Sequence, residues 1–162
     1  MKTLPQILLF IMALIMFGCG GGQSKIDKIK EQSKMETASN EESNVPASER
    51  ITLENKGVGP IKNLELSPTI DQEMVDRGLA LFNTNCSACH KIDKRFIGPS
   101  PKGIMKRRSP EWIMNMILDP QLMVEQDRCA KDLLVEFNGA AMANQNMTEE
   151  QARDILEYFR TL

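Results

Sequence analysis

The chain has 162 residues, 41% of them hydrophobic, and its 20 basic and 22 acidic side chains leave a formal net charge of −2. Because the two signs are nearly balanced, nothing in the composition favours nucleic acid as a partner. The chain has one histidine, and its four cysteines do not form the two closely spaced pairs of a typical structural zinc site.

The first nineteen residues have the pattern of an export signal. Lys2 is followed by an apolar run from Leu4 to Phe17, which is too short to cross a bilayer comfortably. Met16-Phe17-Gly18-Cys19 resembles the bacterial lipobox, in which the cysteine becomes the lipid-bearing first residue. We therefore predict a lipoprotein signal peptide at residues 1–18 and a lipid anchor on Cys19, on the periplasmic side of a bacterial membrane. An uncleaved N-terminal anchor is the alternative.

The next two segments differ in composition. Residues 19–50 are rich in glycine and polar side chains with almost no large apolar ones, so they cannot bury enough surface to offset their ordering entropy. We predict a flexible tether there. Residues 51–68 combine glycine and proline with apolar side chains, which favours an extended arm packed on a domain that occupies residues 69–162.

The domain is predicted to open with a helix. Thr69 and Gln72 have the spacing of a capping box, and apolar residues follow at helical intervals up to Phe82. This helix leads directly into a cysteine-rich motif.

The motif Cys86-Ser87-Ala88-Cys89-His90 is the strongest chemical signal in the chain. Two thiols at this spacing can form thioethers with the two vinyl groups of one porphyrin, and the adjacent imidazole can ligate its iron. The alternatives are a zinc site, a redox-active thiol pair and a plain disulfide, but zinc lacks ligands here and no β-branched run flanks the motif. We predict one haem c, attached to Cys86 and Cys89 and ligated by His90. It would supply the apolar interior that so short a domain lacks.

Three further helices are predicted downstream. One runs from Pro110 to Leu118 with proline in its first turn, and one runs from Glu125 to Phe137. The last begins at a capping box formed by Thr148 and Gln151. No alternating strand pattern is present, so the fold class is all α, with about four helices around one haem.

Charge is unevenly distributed in this domain. Residues 91–108 contain seven basic side chains and one acidic one, whereas residues 109–162 contain ten acidic and four basic ones. The basic segment either steers the domain toward an acidic partner surface, or is a solvated loop in which Arg107, Arg108 or Trp112 holds a haem propionate.

From Asp71 to Leu162 the chain resembles a class I monohaem cytochrome c. The resemblance rests on Gly78 and Phe82, the cysteine motif, Gly98-Pro99 and the terminal Leu156-Glu157-Tyr158-Phe159. It implies that the first and last helices cross at Gly78 and Tyr158 or Phe159. It also implies that the carbonyl of Pro99 accepts a hydrogen bond from the ring of His90.

The resemblance extends to the second axial ligand. Because the chain has a single histidine, a second imidazole from the same chain is excluded. The stretch from Met142 to Thr148 resembles the family's distal-ligand loop, with Ala143 and Met147 in place of proline and leucine. It implies that Met142 is the sixth ligand, while Met147, Met123 and an open site are the alternatives. A thioether ligand favours ferrous iron and raises the reduction potential.

The expected function is transfer of single electrons between redox proteins of a respiratory chain, with no catalytic residue and no small-molecule substrate. Residues 110–116 and 137–139 also resemble segments of cytochromes found with anaerobic reductases, nitrous oxide reductase among them. The alternatives are a haem enzyme or gas sensor with an open distal site, and a cytochrome docked permanently in a larger complex. The remaining cysteine, Cys129, is either a buried apolar residue, which we expect, or an intermolecular thiol.

Overall fold

The computed structural model describes residues 44–162, so the predicted signal peptide, Cys19 and most of the predicted tether lie outside the described residues. The described chain forms five α-helices and one 3₁₀ helix: α1 (Gln72–Asn85), the 3₁₀ helix (Ile104–Lys106), α2 (Pro110–Leu118), α3 (Pro120–Gln126), α4 (Arg128–Glu136) and α5 (Glu149–Phe159). Residues 44–162 contain two isolated bridges and no strand, which confirms the all-α class. Within this range no helix is long and apolar enough to span a bilayer.

Helices α1 and α5 make the largest interhelical contact, and they cross at Gly78. A Cβ atom at this position would lie 2.1 Å from the backbone oxygen of Asp154, so the two backbones approach this closely only because residue 78 has no side chain. Phe82 packs against Tyr158 and Phe159, with ring centroids 5.7 and 5.9 Å apart. The structure therefore has the crossing that the family resemblance implies.

The helix starts depend on short polar side chains that accept hydrogen bonds from the first turn. Thr148 and Gln151 form the predicted capping box of α5. In α1 the cap is not Thr69 but Asp71, whose carboxylate accepts from the N–H of Met74. The hydroxyl of Thr69 bonds the hydroxyl of Ser67 instead, and the helix begins three residues beyond Thr69, at Gln72.

The predicted helix from Glu125 to Phe137 was wrong in its boundaries. Asp119 ends α2 and caps α3, and Asp127 ends α3 and caps α4. Asp127 has extended backbone angles and its carboxylate accepts from the N–H of Ala130, so it interrupts the helix while stabilising the next one. Residues 44–162 therefore contain five α-helices, where about four were predicted.

The compact unit begins at Val45, before the predicted end of the tether at residue 50. Ala47 is 2% exposed. The buried guanidinium of Arg108 donates hydrogen bonds to the carbonyl oxygens of Ala47 and Arg50. The composition of residues 45–50 indicated a tether because composition reports only on side chains. Arg108 instead binds the backbone carbonyl groups of this segment, which composition does not reveal.

The arm at residues 51–68 lies over α2. The amide nitrogen of Asn115 donates to the carbonyls of Lys56 and Ile61, and its oxygen accepts from the N–H of Ile61. The apolar side chains of the arm pack against the core: Val58, Ile61, Leu64 and Leu66. The arm thus completes the hydrophobic core on one side of α2.

The carboxylate of Glu157 is fully buried and predicts a pH dependence of stability. Burial opposes its ionisation, but hydrogen bonds from Arg160, the backbone of Asp71 and Arg153 outweigh it and hold its pKa below the usual range. A depressed folded-state pKa contributes stability above the unfolded pKa of about 4.3, and this is lost as pH falls through the folded value.

We therefore expect Glu157→Gln to lower the free energy of unfolding by about 3 kcal/mol near neutral pH. The difference from wild type should shrink as the pH falls below about 4, because both proteins then carry a neutral side chain at this position. Urea unfolding at a series of pH values measures the loss of stability and its dependence on pH. A difference that does not change with pH would contradict the assignment.

Candidate haem-binding site

The cysteine motif begins where α1 ends. Cys86 is the C-cap of α1, and the backbone N–H groups of Cys89 and His90 both donate to its carbonyl oxygen. This tight turn places Cys86, Cys89 and His90 on the wall of one pocket. Cys86 is half-buried in this wall, and Cys89 is exposed.

The environment of Cys86 differs from that of a redox-active thiol. Burial, with a smaller contribution from Cys89, raises the pKa of Cys86 to about 11. Reactive and metal-binding cysteines have lowered pKa values, because the thiolate is the active form. Among residues 44–162 no group of three His, Cys, Asp or Glu side chains is arranged to hold a metal ion. Both observations count against the redox-pair and zinc alternatives.

The ring of His90 is held in one orientation. Its Nδ1 lies 2.8 Å from the carbonyl oxygen of Pro99. A carbonyl can only accept, so Nδ1 carries the proton and Nε2 is the nitrogen with a free lone pair. Such an outer hydrogen bond orients a ligating histidine and raises its basicity. The contact that the resemblance implied for Pro99 is therefore present.

Gly98 makes this arrangement possible. A Cβ atom there would lie 2.5 Å from Cε1 and 2.8 Å from Nδ1 of His90, so any side chain would push the ring away. The N–H of Gly98 donates to the carbonyl of Cys89 at 2.9 Å, which ties the Gly98-Pro99 turn back to the motif.

The pocket is partly open to solvent, and the space between its walls, including the solvent at its mouth, is about 800 Å³. Apart from the cysteine motif and the Gly98-Pro99 turn, its lining is mostly apolar: Ile97, Met116, Val124, Ala130, Leu133, Leu134, Phe137, Ala140, Ala141, Met142 and Ala143. Mostly apolar walls with a few convergent polar groups are typical of cofactor sites. The two thiols suit the edge of a haem c, where thioethers form, and the oriented imidazole suits its iron. The apolar walls suit its ring. The residues present therefore match the group that the motif predicts.

Met142 is half-buried on the pocket wall, in the loop between α4 and α5. Asn138 and Gly139 turn the chain into this loop with left-handed φ angles of 55° and 78°, and Asn146 leaves it at 52°. The structure thus brings His90 and Met142 to the same pocket although 52 residues separate them in the chain.

The other methionines are placed differently. Met123 is fully buried, and its sulfur accepts a hydrogen bond from the N–H of Val58 in the arm at 3.1 Å, so it is not available as a ligand. Met147 packs against the hydrophobic core. Met116, which sequence reasoning treated as core filling, does line the pocket from α2.

Trp112, Arg107 and Arg108, which were suggested as propionate ligands, do not line the pocket, and their role toward a propionate stays a prediction. The indole N–H of Trp112 donates to Asp127 at 3.0 Å. Arg107 bonds the carbonyl oxygens of Lys102 and Ser100, and Arg108 bonds the N-terminal segment. Buried donors must find acceptors, and for these three the nearest belong to backbone segments and to the cap of α4.

Sequence reasoning missed part of the pocket wall. Leu133, Leu134 and Phe137 share one face of α4 and follow helical spacing, so periodicity contained the signal for them. No sequence pattern of this kind identifies Met116 and Val124 as pocket residues. Only the packing of α2 and α3 decides which face of each helix lines the pocket. Cys129 is buried, as expected.

Comparison with known proteins agrees with this geometry. Residues 75–162 match the family described as Cytochrome c. A cytochrome c from Rhodothermus marinus is 41% identical in an alignment that covers 72% of this chain and 92% of that one, with a TM-score of 0.62. An engineered form of that cytochrome bound to a carbene intermediate is 40% identical over 72% of this chain and 93% of its own, with a TM-score of 0.60.

A curated protein from Synechocystis, described as cytochrome c-553-like, is 43% identical over 47 residues. These residues are 28% of this chain and 45% of that protein, so the match spans less than half of the relative's length. The family match, by contrast, covers more than half of the chain and includes the cysteine motif, the Gly98-Pro99 turn and the Met142 loop. The chain therefore belongs to the cytochrome c family, as a class I monohaem cytochrome c that carries one covalently bound haem c.

Proposed function

We propose that this cytochrome c is a single-electron carrier, held on the periplasmic side of a bacterial membrane by a lipid on Cys19, that exchanges electrons with a respiratory partner. The observation that carries the proposal is the pairing of an oriented imidazole, His90, with the thioether of Met142 on the walls of one mostly apolar pocket. A haem c held there supplies an iron that alternates between Fe(II) and Fe(III).

The chain's own residues favour electron transfer over catalysis. The Pro99 carbonyl fixes the His90 ring, and the Met142 loop ends at the capped start of α5. An iron held by both His90 and Met142 would have no coordination position left for a substrate, and the apolar walls would keep water from the ring. A thioether ligand also stabilises the ferrous state and raises the potential.

The surface beside the pocket offers a route for electrons to leave. Cys89 is exposed, and the neighbouring Phe96 and Ile97 are each half exposed, with Ile97 also lining the pocket. The ammonium of Lys91 lies 5.2 Å from the centre of the Phe96 ring. A small apolar patch with basic neighbours suits a redox partner whose docking surface has an apolar centre and an acidic rim.

We expect this docking to depend on salt. The second-order rate constant of electron transfer to an acidic redox protein should fall about tenfold between low and physiological ionic strength, because screening weakens the attraction between exposed charges. Stopped-flow mixing at increasing NaCl measures it. Lys91→Gln should flatten the dependence, with Lys131→Gln on α4 as the control outside the basic segment. A rate that is flat with salt in the wild type would exclude steering.

The membrane tether is tested at Cys19. We expect Cys19→Ser to move nearly all of the protein from the membrane fraction to the soluble periplasmic fraction, because a lipid chain contributes about 0.8 kcal/mol per buried methylene and serine receives none. Haem absorbance follows the protein through fractionation. Wild type is the control, and a variant that stays with the membrane would support an uncleaved N-terminal anchor.

The partner itself is proposed from two resemblances, in residues 110–116 and 137–139, to cytochromes found with anaerobic reductases such as nitrous oxide reductase. Both segments contribute to the pocket, through Met116 and Phe137. Co-purification from membranes tests whether the domain is a mobile carrier or a fixed subunit, since a fixed subunit stays with its complex after gentle solubilisation.

A further inference from the structure

Helix α4 carries two adjacent stripes of side chains at helical spacing. The pocket stripe lines the haem pocket and consists of Ala130, Leu133, Leu134 and Phe137. The outer stripe consists of Cys129, Asp132 and Glu136. Both stripes belong to one short helix. Contacts that hold the outer stripe in place therefore also hold the pocket stripe in place.

The outer stripe is held by a short segment near the N-terminal edge of the domain, residues 48–52. Ser48 donates to both carboxylate oxygens of Glu136, from its backbone N–H at 2.7 Å and its hydroxyl at 2.6 Å. Arg50 forms an ion pair with Asp132, and the hydroxyl of Thr52 lies 4.0 Å from the sulfur of Cys129. Alternate residues of the segment thus follow α4 in the reverse direction.

The far end of α4 is linked to the loop that follows the haem motif. Arg95 donates to the carboxylate of Glu136 at 2.7 Å and to its carbonyl oxygen. Its guanidinium lies 3.9 Å from the centre of the Phe137 ring, which is itself part of the pocket wall. Glu136 therefore joins three parts of the chain: residues 48–52, α4 and the loop that leads to Gly98-Pro99.

We propose that residues 48–52 are a clamp on α4 that holds this wall of the haem pocket in place, with Ser48 and Arg50 as positioning residues for the pocket stripe and for the Met142 loop that follows it. The clamp overlaps the last residues of the predicted tether, so the segment that attaches the domain also holds the helix that forms a wall of its redox site. This inference depends on the haem site and not on the lipid anchor.

The test compares two readouts in the full-length holoprotein carrying Ser48→Ala and Arg50→Ala together. The first is the rate at which a maleimide labels Cys129, which is buried beneath the clamp, with the labelled residue located by peptide mapping. The second is the affinity of the oxidised protein for imidazole, which must enter the pocket to bind. We expect both to rise about tenfold, because one opening of the clamp exposes both sites.

A matched control removes a comparable ion pair elsewhere. Arg77 pairs with Asp154 at 2.8 Å and joins α1 to α5 without any hydrogen bond or ion pair to α4, so Arg77→Ala should leave both readouts within about twofold of wild type. Should the double variant fail to fold, Asp132→Asn keeps the side-chain shape while removing its charge. We expect it to raise both readouts about two- to fivefold.

A rise in only one readout would contradict the proposal. The labelling of Cys129 and the binding of imidazole could then not depend on the same opening of the clamp. No change in either readout would also overturn the proposal. A parallel rise in both, absent in Arg77→Ala, would establish it.

Discussion

Replacing Gly78 with alanine is expected to destabilise the folded protein by about 3 kcal/mol or more, because the added methyl group meets backbone and not a side chain that can turn away. The Cβ atom would lie 2.1 Å from the carbonyl oxygen and 2.6 Å from the carbonyl carbon of Asp154, and 3.0 Å from Cβ of Tyr158. The two helices must therefore separate, which also loosens the packing of Phe82 on Tyr158 and Phe159.

Thermal and urea unfolding of the oxidised holoprotein measure this effect, and we expect a fall in Tm of about 10 °C or more. Ala80→Gly is the matched control, since residue 80 lies on the same helix but is exposed. That change should cost only about 1 kcal/mol, through helix propensity. A Gly78→Ala variant within 1 kcal/mol of wild type would mean that α1 and α5 can separate at little cost.

Replacing Met142 with alanine should convert a closed haem site into an open one. We expect the oxidised variant to lose the weak near-red absorption band of methionine-ligated haem, and its reduction potential to fall by about 0.1 V or more, because axial ligands set haem potentials over a wide range. The reduced variant should react immediately with carbon monoxide, whereas the reduced wild type should not.

The other methionines provide the controls. Met147→Ala should keep the band, because Met147 packs against the core, and so should Met116→Ala, although Met116 lines the pocket from α2. Loss of the band in either variant, with retention in Met142→Ala, would reassign the ligand. Immediate reaction of the reduced wild type with carbon monoxide would favour the haem enzyme or gas sensor over the carrier.

The sequence predicted the cofactor more completely than it predicted the fold. The spacing of Cys86, Cys89 and His90 is local, and five consecutive residues contain the whole chemical argument. The bounds of α2 were predicted correctly because Pro110 begins the helix and Asp119-Pro120 ends it. The division between α3 and α4 was missed because Asp127 was read as an ordinary helix residue. Its carboxylate is held by the indole of Trp112 and the amide of Asn55, both distant in sequence.

The predicted tether was too long for the same reason. Residues 45–50 follow a polar stretch of the chain and were predicted as the end of the tether, yet Arg108 and α4 hold them on the domain. The buried guanidinium of Arg108 donates to carbonyl oxygens 58 and 61 residues away, and no local sequence pattern indicates such partners.

By itself, the sequence determined what this protein binds and how the group is attached: one haem c, two thioether positions and one histidine, because attachment chemistry depends on residues that are neighbours in the chain. Only the tertiary structure decided that Met142 and Met116 line the pocket together with that histidine, that the sulfur of Met123 is bonded by the arm, and that residues 48–52 hold the helix forming the pocket wall. These depend on which faces of separate helices meet, and that is settled by packing and by the need of every buried polar group for a partner.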